Sequence, residues 1–155
     1  MTKPGKEDTF AIWIAAEPYQ YQAFVHLDEL ELLEPPFLSA PDITSYCWSI
    51  HQIDYPSSVY ERLKTWGGLI NRIFIVTVAD ERIYWGTFKG DLDSGGCQNP
   101  VIMLYPRHPD GSNTIPPCLI IQRAYPDFVG SNDDPDLRND LRIYRALVEA
   151  GILVP

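Results

Sequence analysis

The sequence predicts an α+β fold, in which a mostly antiparallel sheet of about five or six strands packs with two or three helices in a single domain. The chain has 155 residues, the usual size of one domain. Its 45% hydrophobic and 21% charged residues exclude a chain that is disordered throughout. Short β-branched and aromatic segments, separated by 14 prolines, alternate with segments of helical periodicity, of which the C-terminal helix is the best defined.

The first two elements differ in how clearly the sequence specifies them. Residues 10–16 are dense in bulky apolar side chains, which predicts a buried strand. Residues 18–34 are ambiguous, because leucines at helical spacing favour a helix whereas the alternation of residues 29–32 is typical of a strand. We favour the helix, and either element would end at Pro35 and Pro36.

The next elements are a strand and a short helix. Residues 45–54 carry aromatic and β-branched side chains on alternate positions, which predicts a strand. A helix is expected after Pro56, with Ser58 as its cap and Glu61 completing a capping box. A glycine pair that begins at Gly67 would end this helix.

Two strand pairs are expected in the middle of the chain. Residues 72–78 and 82–88 are separated by a short polar turn, which predicts an antiparallel hairpin. Residues 101–105 and 118–124 form a second expected pair. The segment between them, residues 106–117, is too rich in proline to be regular, and long loops of this kind are often functional.

The C-terminal helix has a clear beginning and end in the sequence. Asp133, Asp134 and Pro135 suit its N-terminus, where the helix dipole favours acids and the first turn tolerates proline. Gly151 would end it. Four apolar side chains are expected to form its buried stripe, with Leu147 beside them: Leu137, Leu141, Tyr144 and Val148. Three arginines are expected along another face: Arg138, Arg142 and Arg145.

The net charge of −9 comes from one contiguous third of the chain. Residues 7–61 contain ten acids and no Lys or Arg, whereas the rest of the chain holds eleven acids and twelve bases. An acidic balance argues against direct binding to nucleic acid or to an anionic membrane. An asymmetry in the sign of the charge indicates an interaction surface, although the sequence leaves open whether the acids converge.

The cysteines and histidines predict no metal centre. Cys47, Cys97 and Cys118 are odd in number and have no CxxC spacing, which fits a reducing cytoplasm better than a disulfide framework or a zinc module. The three histidines are not spaced as a metal-binding pair. No segment approaches the length of a transmembrane helix. We therefore expect a soluble cytoplasmic protein without a metal site or a cofactor.

Sequence support for catalysis is thin, and no catalytic residue is assigned. A glycine-rich turn carries two aspartates and a serine, but their spacing does not match a calcium loop. A small enzyme or ligand-binding domain, with a site in the loops 91–97 and 106–111, is therefore an alternative prediction. Its candidate groups are Asp91, Asp93, Ser94 and His108.

The favoured hypothesis is a small intracellular interaction protein whose acidic segment, residues 7–61, binds a basic partner that handles nucleic acids. An inhibitor, an immunity protein or a phage-encoded antagonist would fit. Aromatic residues anchor interfaces and charges steer association, so tyrosines join the acids in the predicted site. The predicted partner-binding residues are Glu17, Tyr19, Tyr21, Asp28, Glu29, Glu31, Glu34, Asp42, Asp54 and Tyr55. A structural homodimer, built through a sheet edge or the C-terminal helix, is a further alternative.

Overall fold

The computed structural model of the chain describes residues 9–20, 24–90, 95–105 and 114–155. Within these residues two α-helices accompany the strands, α1 (Ser57–Leu63) and α2 (Leu141–Glu149). The strands are β1 (Phe10–Pro18), β2 (Leu32–Ser39), β3 (Ser45–Cys47), β4 (Gln52–Asp54), β5 (Arg72–Val78), β6 (Glu81–Gly90), β7 (Val101–Leu104), β8 (Cys118–Gln122) and β9 (Leu153–Val154). They form one sheet in the order β2-β1-β5-β6-β7-β8-β4-β3-β9.

The predicted architecture of five or six strands packed with two or three helices is wrong. The described residues form a nine-stranded mixed sheet, in which β6 with β7 and β3 with β9 are parallel and the other pairs antiparallel. Counting from the sequence misses strands because β3, β4 and β9 are too short to display an alternation. The single strand expected over residues 45–54 is in fact two strands, β3 and β4. The turn between them includes His51, which has a φ of 53°.

The helix favoured for residues 18–34 is also wrong in the described part of that segment. β1 continues to Pro18, a single 3-10 turn spans Leu27–Glu29, and β2 begins at Leu32. Pro35 and Pro36 lie inside β2 and do not end it. A strand tolerates prolines at the edge of a sheet, where one side of its backbone needs no N–H donors, and β2 occupies that position.

Several strand predictions are confirmed. The expected buried strand is β1, the expected hairpin is the antiparallel pair β5–β6, and the second expected pair is β7–β8. β5 is apolar on both faces because it lies in the interior of the sheet, between β1 and β6. Gly86 of β6 has no space for a side chain, because a Cβ there would overlap the Pro100 carbonyl and the Phe74 ring.

The sheet curls around the larger of two apolar clusters. Phe10 of β1 and Tyr46 of β3 belong to strands that are far apart in the strand order, yet their ring centroids lie 5.8 Å apart. This contact closes the main core, which also contains the buried faces of α1 and α2. The removal of this apolar surface from water is what chiefly stabilises the curled sheet.

A smaller apolar cluster covers the opposite face of the central strands. Ala15, Ile73 and Ile75 are its buried members, and the side chains of Tyr19 and Trp85 pack against them. The segment that leads into β2 lies over this face. Arg82 holds that segment in place, because its Nη1 donates to the carbonyls of Leu27 at 2.8 Å and Leu30 at 2.6 Å. The two openings described below lie on this face of the sheet.

The helix after Pro56 is confirmed as α1, but its predicted ends are wrong. Pro56 is the N-cap and no side chain caps it, so the capping box of Ser58 and Glu61 does not form. The helix ends at Leu63, with Lys64 as its C-cap, ahead of Gly67. Two side chains of α1 are buried, Val59 and Leu63.

The C-terminal helix is confirmed as α2, but it begins later than the acids at 133 and 134 suggested. Asp140 is its N-cap, and the carboxylate accepts a hydrogen bond from the Arg142 backbone N–H at 2.9 Å. Arg138 lies before the helix and is not part of its arginine face. Its guanidinium pairs with Asp136 at 2.7 Å and donates to the Ile121 carbonyl.

The buried face of α2 is not the predicted one. The side chains that pack on the sheet are Ile143, Ala146 and Leu147. The predicted stripe is exposed to solvent in all four positions: Leu137, Leu141, Tyr144 and Val148. The helix is apolar around more than half of its circumference, so its sequence alone allows either face to be buried. Leu137 lies in a 3-10 turn before α2, and the other three belong to the helix itself.

Candidate functional site

Half of the predicted partner-binding residues gather at the β2 edge of the sheet. They lie at the end of β1, in the 3-10 turn, in the short connection to β2 and in β2 itself, and all are exposed. None of them forms an ion pair with another residue that the structure describes. The Ala16 N–H donates to the Glu31 carbonyl at 2.9 Å, which fixes this segment beside the end of β1. We call this group the acidic edge; it consists of Glu17, Asp28, Glu29, Glu31 and Glu34.

A groove of about 390 Å³ opens at the acidic edge. Glu17 and Glu29 are the two acids that line it, and Phe24 and His26 line it as well. Phe24 is 84% exposed, and its ring centroid lies 4.6 Å from that of His26. The exposed ring gives the groove apolar area and an aromatic surface that a partner could cover. The predicted site did not include Phe24 or His26, although both stand inside the acidic segment of the sequence.

Asp42 is part of the predicted site, but the structure gives it a local structural role. Its carboxylate accepts hydrogen bonds from the Ser39 backbone N–H at 3.0 Å and from the Ser39 hydroxyl at 3.2 Å. It also pairs with Arg62 of α1 at 3.0 Å. Partial burial alone would raise the pKa of Asp42, but the hydrogen bonds from Arg62 and Ser39 and the charge of Arg62 lower it overall.

Asp54 and Tyr55 lie at the far side of the sheet, away from the acidic edge. Asp54 accepts a hydrogen bond from the Ser45 hydroxyl at 3.2 Å, which ties β3 to β4. It accepts another from the side-chain amide of Gln52, on the same strand, at 3.0 Å. Tyr55 is only 8% exposed, and its hydroxyl donates to the Pro116 carbonyl. Burial raises the pKa of Tyr55. A buried tyrosine with a satisfied hydroxyl contributes to the core and offers little to a partner.

The two other predicted tyrosines have separate outcomes. Tyr21 lies outside the described residues. Tyr19 is half-buried and lines a second, larger opening, a cleft of about 570 Å³ on the same face of the sheet. Trp85 and Tyr125 also line this cleft, together with the chain from 96 to 99 and from 126 to 127. The Tyr19 and Trp85 ring centroids lie 5.8 Å apart, so the two rings form one continuous wall. We call this opening the aromatic cleft.

Cys97 lines the aromatic cleft but lacks the properties of a nucleophile. The residue is 3% exposed, and it forms a β-bridge with Tyr125 through hydrogen bonds of 2.9 and 2.8 Å. Burial raises the pKa of the Cys97 thiol, an effect that outweighs hydrogen bonds from the Asn99 backbone and the Tyr19 side chain and the charge of Lys89. Thiol reactivity requires the thiolate, so the buried, protonated form is unreactive.

The described histidine in the core is also structural. His51 is buried, with Nδ1 at 2.8 Å from the Tyr46 hydroxyl and Nε2 at 3.0 Å from Asn139 Oδ1. Because Oδ1 can only accept, Nε2 carries the proton and Nδ1 accepts from the hydroxyl. Burial lowers the pKa of His51, and the charge of Arg138 lowers it further. A neutral imidazole with both nitrogens satisfied serves to join β3 and β4 to the segment before α2.

The groups named for the enzyme alternative are Asp91, Asp93, Ser94 and His108, and all four lie outside the described residues. Among the residues that are described, no three His, Cys, Asp or Glu side chains are arranged to hold a metal ion. In the same residues, no helix has the length and apolar character needed to cross a membrane. Comparison of the chain with protein-family models, with curated proteins and with solved structures gives no match.

Proposed function

We propose that this chain is a cytoplasmic protein-interaction module that binds a basic segment of a partner protein at the acidic edge. The observation that carries the proposal is the composition of its groove. Glu17 and Glu29 line the groove beside an 84% exposed Phe24, and no Lys or Arg is among its described lining residues. The partner would be a protein that handles nucleic acids, because such proteins carry basic surfaces.

The physical basis is attraction between exposed opposite charges, assisted by an aromatic contact. Exposed ion pairs contribute about 0.2–1 kcal/mol each, so the acids alone provide orientation and fast association more than affinity. Phe24 adds apolar area that a lysine or arginine stem can cover, and its ring face attracts a cationic head group. An inhibitor, immunity or antagonist protein would use such a surface to occupy the basic site of its target.

The proposal is tested with a fluorescein-labelled peptide of alternating lysine and alanine, whose binding is followed by fluorescence anisotropy. We expect the double variant Glu17→Gln/Glu29→Gln to weaken binding about three- to tenfold, from the loss of two exposed charge pairs. The matched control is Asp80→Asn/Glu149→Gln, which removes the same charge from exposed positions away from the groove.

The control decides between a local site and the net charge of the chain. We expect the control variant to retain the affinity of the unmodified protein within a factor of two, and the difference between the two variants to vanish at roughly 1 M salt, where the Debye length is about 3 Å. Equal weakening by both variants at low salt would show that only the net charge attracts the peptide, and would overturn the proposed site.

A further inference from the structure

The aromatic cleft, which is distinct from the acidic groove, has walls that are fixed in place by the chain itself. Gln98 joins its two loops, because its side-chain Nε2 donates to the Asp127 carbonyl and its Oε1 accepts from the Val129 N–H, both at 3.0 Å. The bridge between Cys97 and Tyr125 forms its base. A cleft whose loops are already held together can bind a ligand without a large ordering cost.

The lining of the cleft offers acceptor atoms to a ligand. The Gln98 amide and the Cys97 backbone are used within the protein, and the Asn99 Nδ2 donates to the Trp85 carbonyl at 3.2 Å. Asn99 can therefore offer its carbonyl oxygen, and the exposed side chain of Asp127 offers a carboxylate. The described lining contains no Lys, Arg or His.

The ring faces add to this electron-rich surface. Trp85 and Tyr125 line the cleft, and the faces of aromatic rings carry negative partial charge. Tyr19 already contacts a cation of the protein, because the Nζ of the buried Lys89 lies 5.2 Å from its ring centroid. The same Nζ donates to Asn71 Oδ1 at 2.7 Å. Trp85 and Tyr125 are therefore the aromatic lining residues that we consider for a ligand.

We propose that the aromatic cleft binds an organic cation, a guanidinium or a methylated ammonium group, between the rings of Trp85 and Tyr125 and the carboxylate of Asp127. Two ring contacts and one partly exposed carboxylate give a weak site, with an affinity in roughly the millimolar range for an isolated cation.

Titration followed by NMR tests the proposal. The reporter is the indole N–H signal of Trp85, which is assigned as the signal that disappears in the variant Trp85→Phe. The probes are N-acetylarginine amide, choline and the uncharged carbon isostere of choline. We expect at least one of the two cations to shift the Trp85 signal in a saturable manner and the uncharged isostere to leave it unchanged. Binding of choline alone identifies a methylated ammonium site, and binding of the arginine derivative alone identifies a guanidinium site.

Asp127→Asn provides the sharper measurement, because this side chain is exposed and the substitution should leave the fold intact. We expect it to weaken cation binding about fivefold, the loss of one charge pair, whereas Asp133→Asn, an exposed acid a few residues away, should change it less than twofold. Equal binding of the uncharged isostere, or no response of any probe, would overturn the proposal. The variant Glu17→Gln/Glu29→Gln should bind the cations normally, so this result is independent of the proposed function.

Discussion

The acidic edge and the second half of the acidic segment, from Asp42 to Tyr55, both carry acids and no Lys or Arg, yet the structure uses their carboxylates differently. The carboxylates of the acidic edge are exposed and form no ion pair with another described residue. Asp42 and Asp54 instead accept hydrogen bonds within the fold, and Asp42 also pairs with Arg62. A run of like charges along a chain therefore does not by itself define a binding surface, because the fold pairs some of the charges and leaves others exposed.

The position of β2 at the edge of the sheet gives the neighbouring acids a role in preventing pairing with another chain. An edge strand has one unpaired side, and charged side chains there oppose pairing with another chain. The acids therefore have a second physical role besides binding. The two roles differ in outcome, because removal of an edge-protecting charge promotes aggregation whereas removal of a binding charge lowers the affinity for a basic peptide.

The largest expected effect is a loss of stability at Tyr55, which is buried, whereas the acidic edge is exposed. Tyr55→Ala should lower the free energy of unfolding by about 3–5 kcal/mol, as for other large aromatic truncations in a core. Tyr55→Phe, which removes only the hydroxyl bonded to Pro116, should cost about 1 kcal/mol. Urea unfolding measures both. A loss below about 0.5 kcal/mol for Tyr55→Ala would contradict its burial.

Asp42 should matter for stability and not for binding. Asp42→Asn weakens the Ser39 cap and removes the ion pair with Arg62, so we expect a loss of about 1–2 kcal/mol in the free energy of unfolding. The affinity for the lysine–alanine peptide should stay within twofold of that of the unmodified protein. A large loss of affinity with unchanged stability would place Asp42 in the binding surface and remove the distinction between the two halves.

The pH dependence of stability gives the same distinction a second test. The pKa of Asp42 is lower in the folded protein than its ordinary value of 3.8, so the carboxylate stabilises the fold above that value and loses this contribution as the pH falls through the folded pKa. The difference in unfolding free energy between the unmodified protein and Asp42→Asn should be constant near neutrality and shrink below about pH 4. A difference that persists unchanged in strong acid would contradict the ion pair.

Phe24 should show the smallest effect on stability. Because its side chain is 84% exposed, Phe24→Ala should change the free energy of unfolding by less than about 0.5 kcal/mol. The same variant should weaken binding of the lysine–alanine peptide measurably, whereas Phe128→Ala, away from the groove, should not. A destabilisation of more than about 2 kcal/mol would indicate that Phe24 packs in the core.

Local patterns made some elements predictable and left others undetermined. The β5–β6 hairpin is readable because two strong strands are joined by a short turn, and contacts between neighbours in sequence suffice to form it. The division of residues 45–54 into β3 and β4 depends instead on pairing with β8 and β9, which lie far away in sequence. The pattern of apolar residues in α2 allowed two faces, and only the position of the sheet selects the one with Leu147.

The sequence by itself determined the location of the acidic excess, the central hairpin and the existence of both helices, because these follow from composition and from contacts within a few residues. The tertiary structure decided which acids are paired, since Arg62 pairs with Asp42, whereas no described Lys or Arg forms an ion pair with Glu17 or Glu29. It also creates the aromatic cleft, because it brings the rings of Tyr19, Trp85 and Tyr125 to one opening. Side chains so distant along the chain meet only when strand order and sheet curvature are fixed, and those depend on the burial of the whole core.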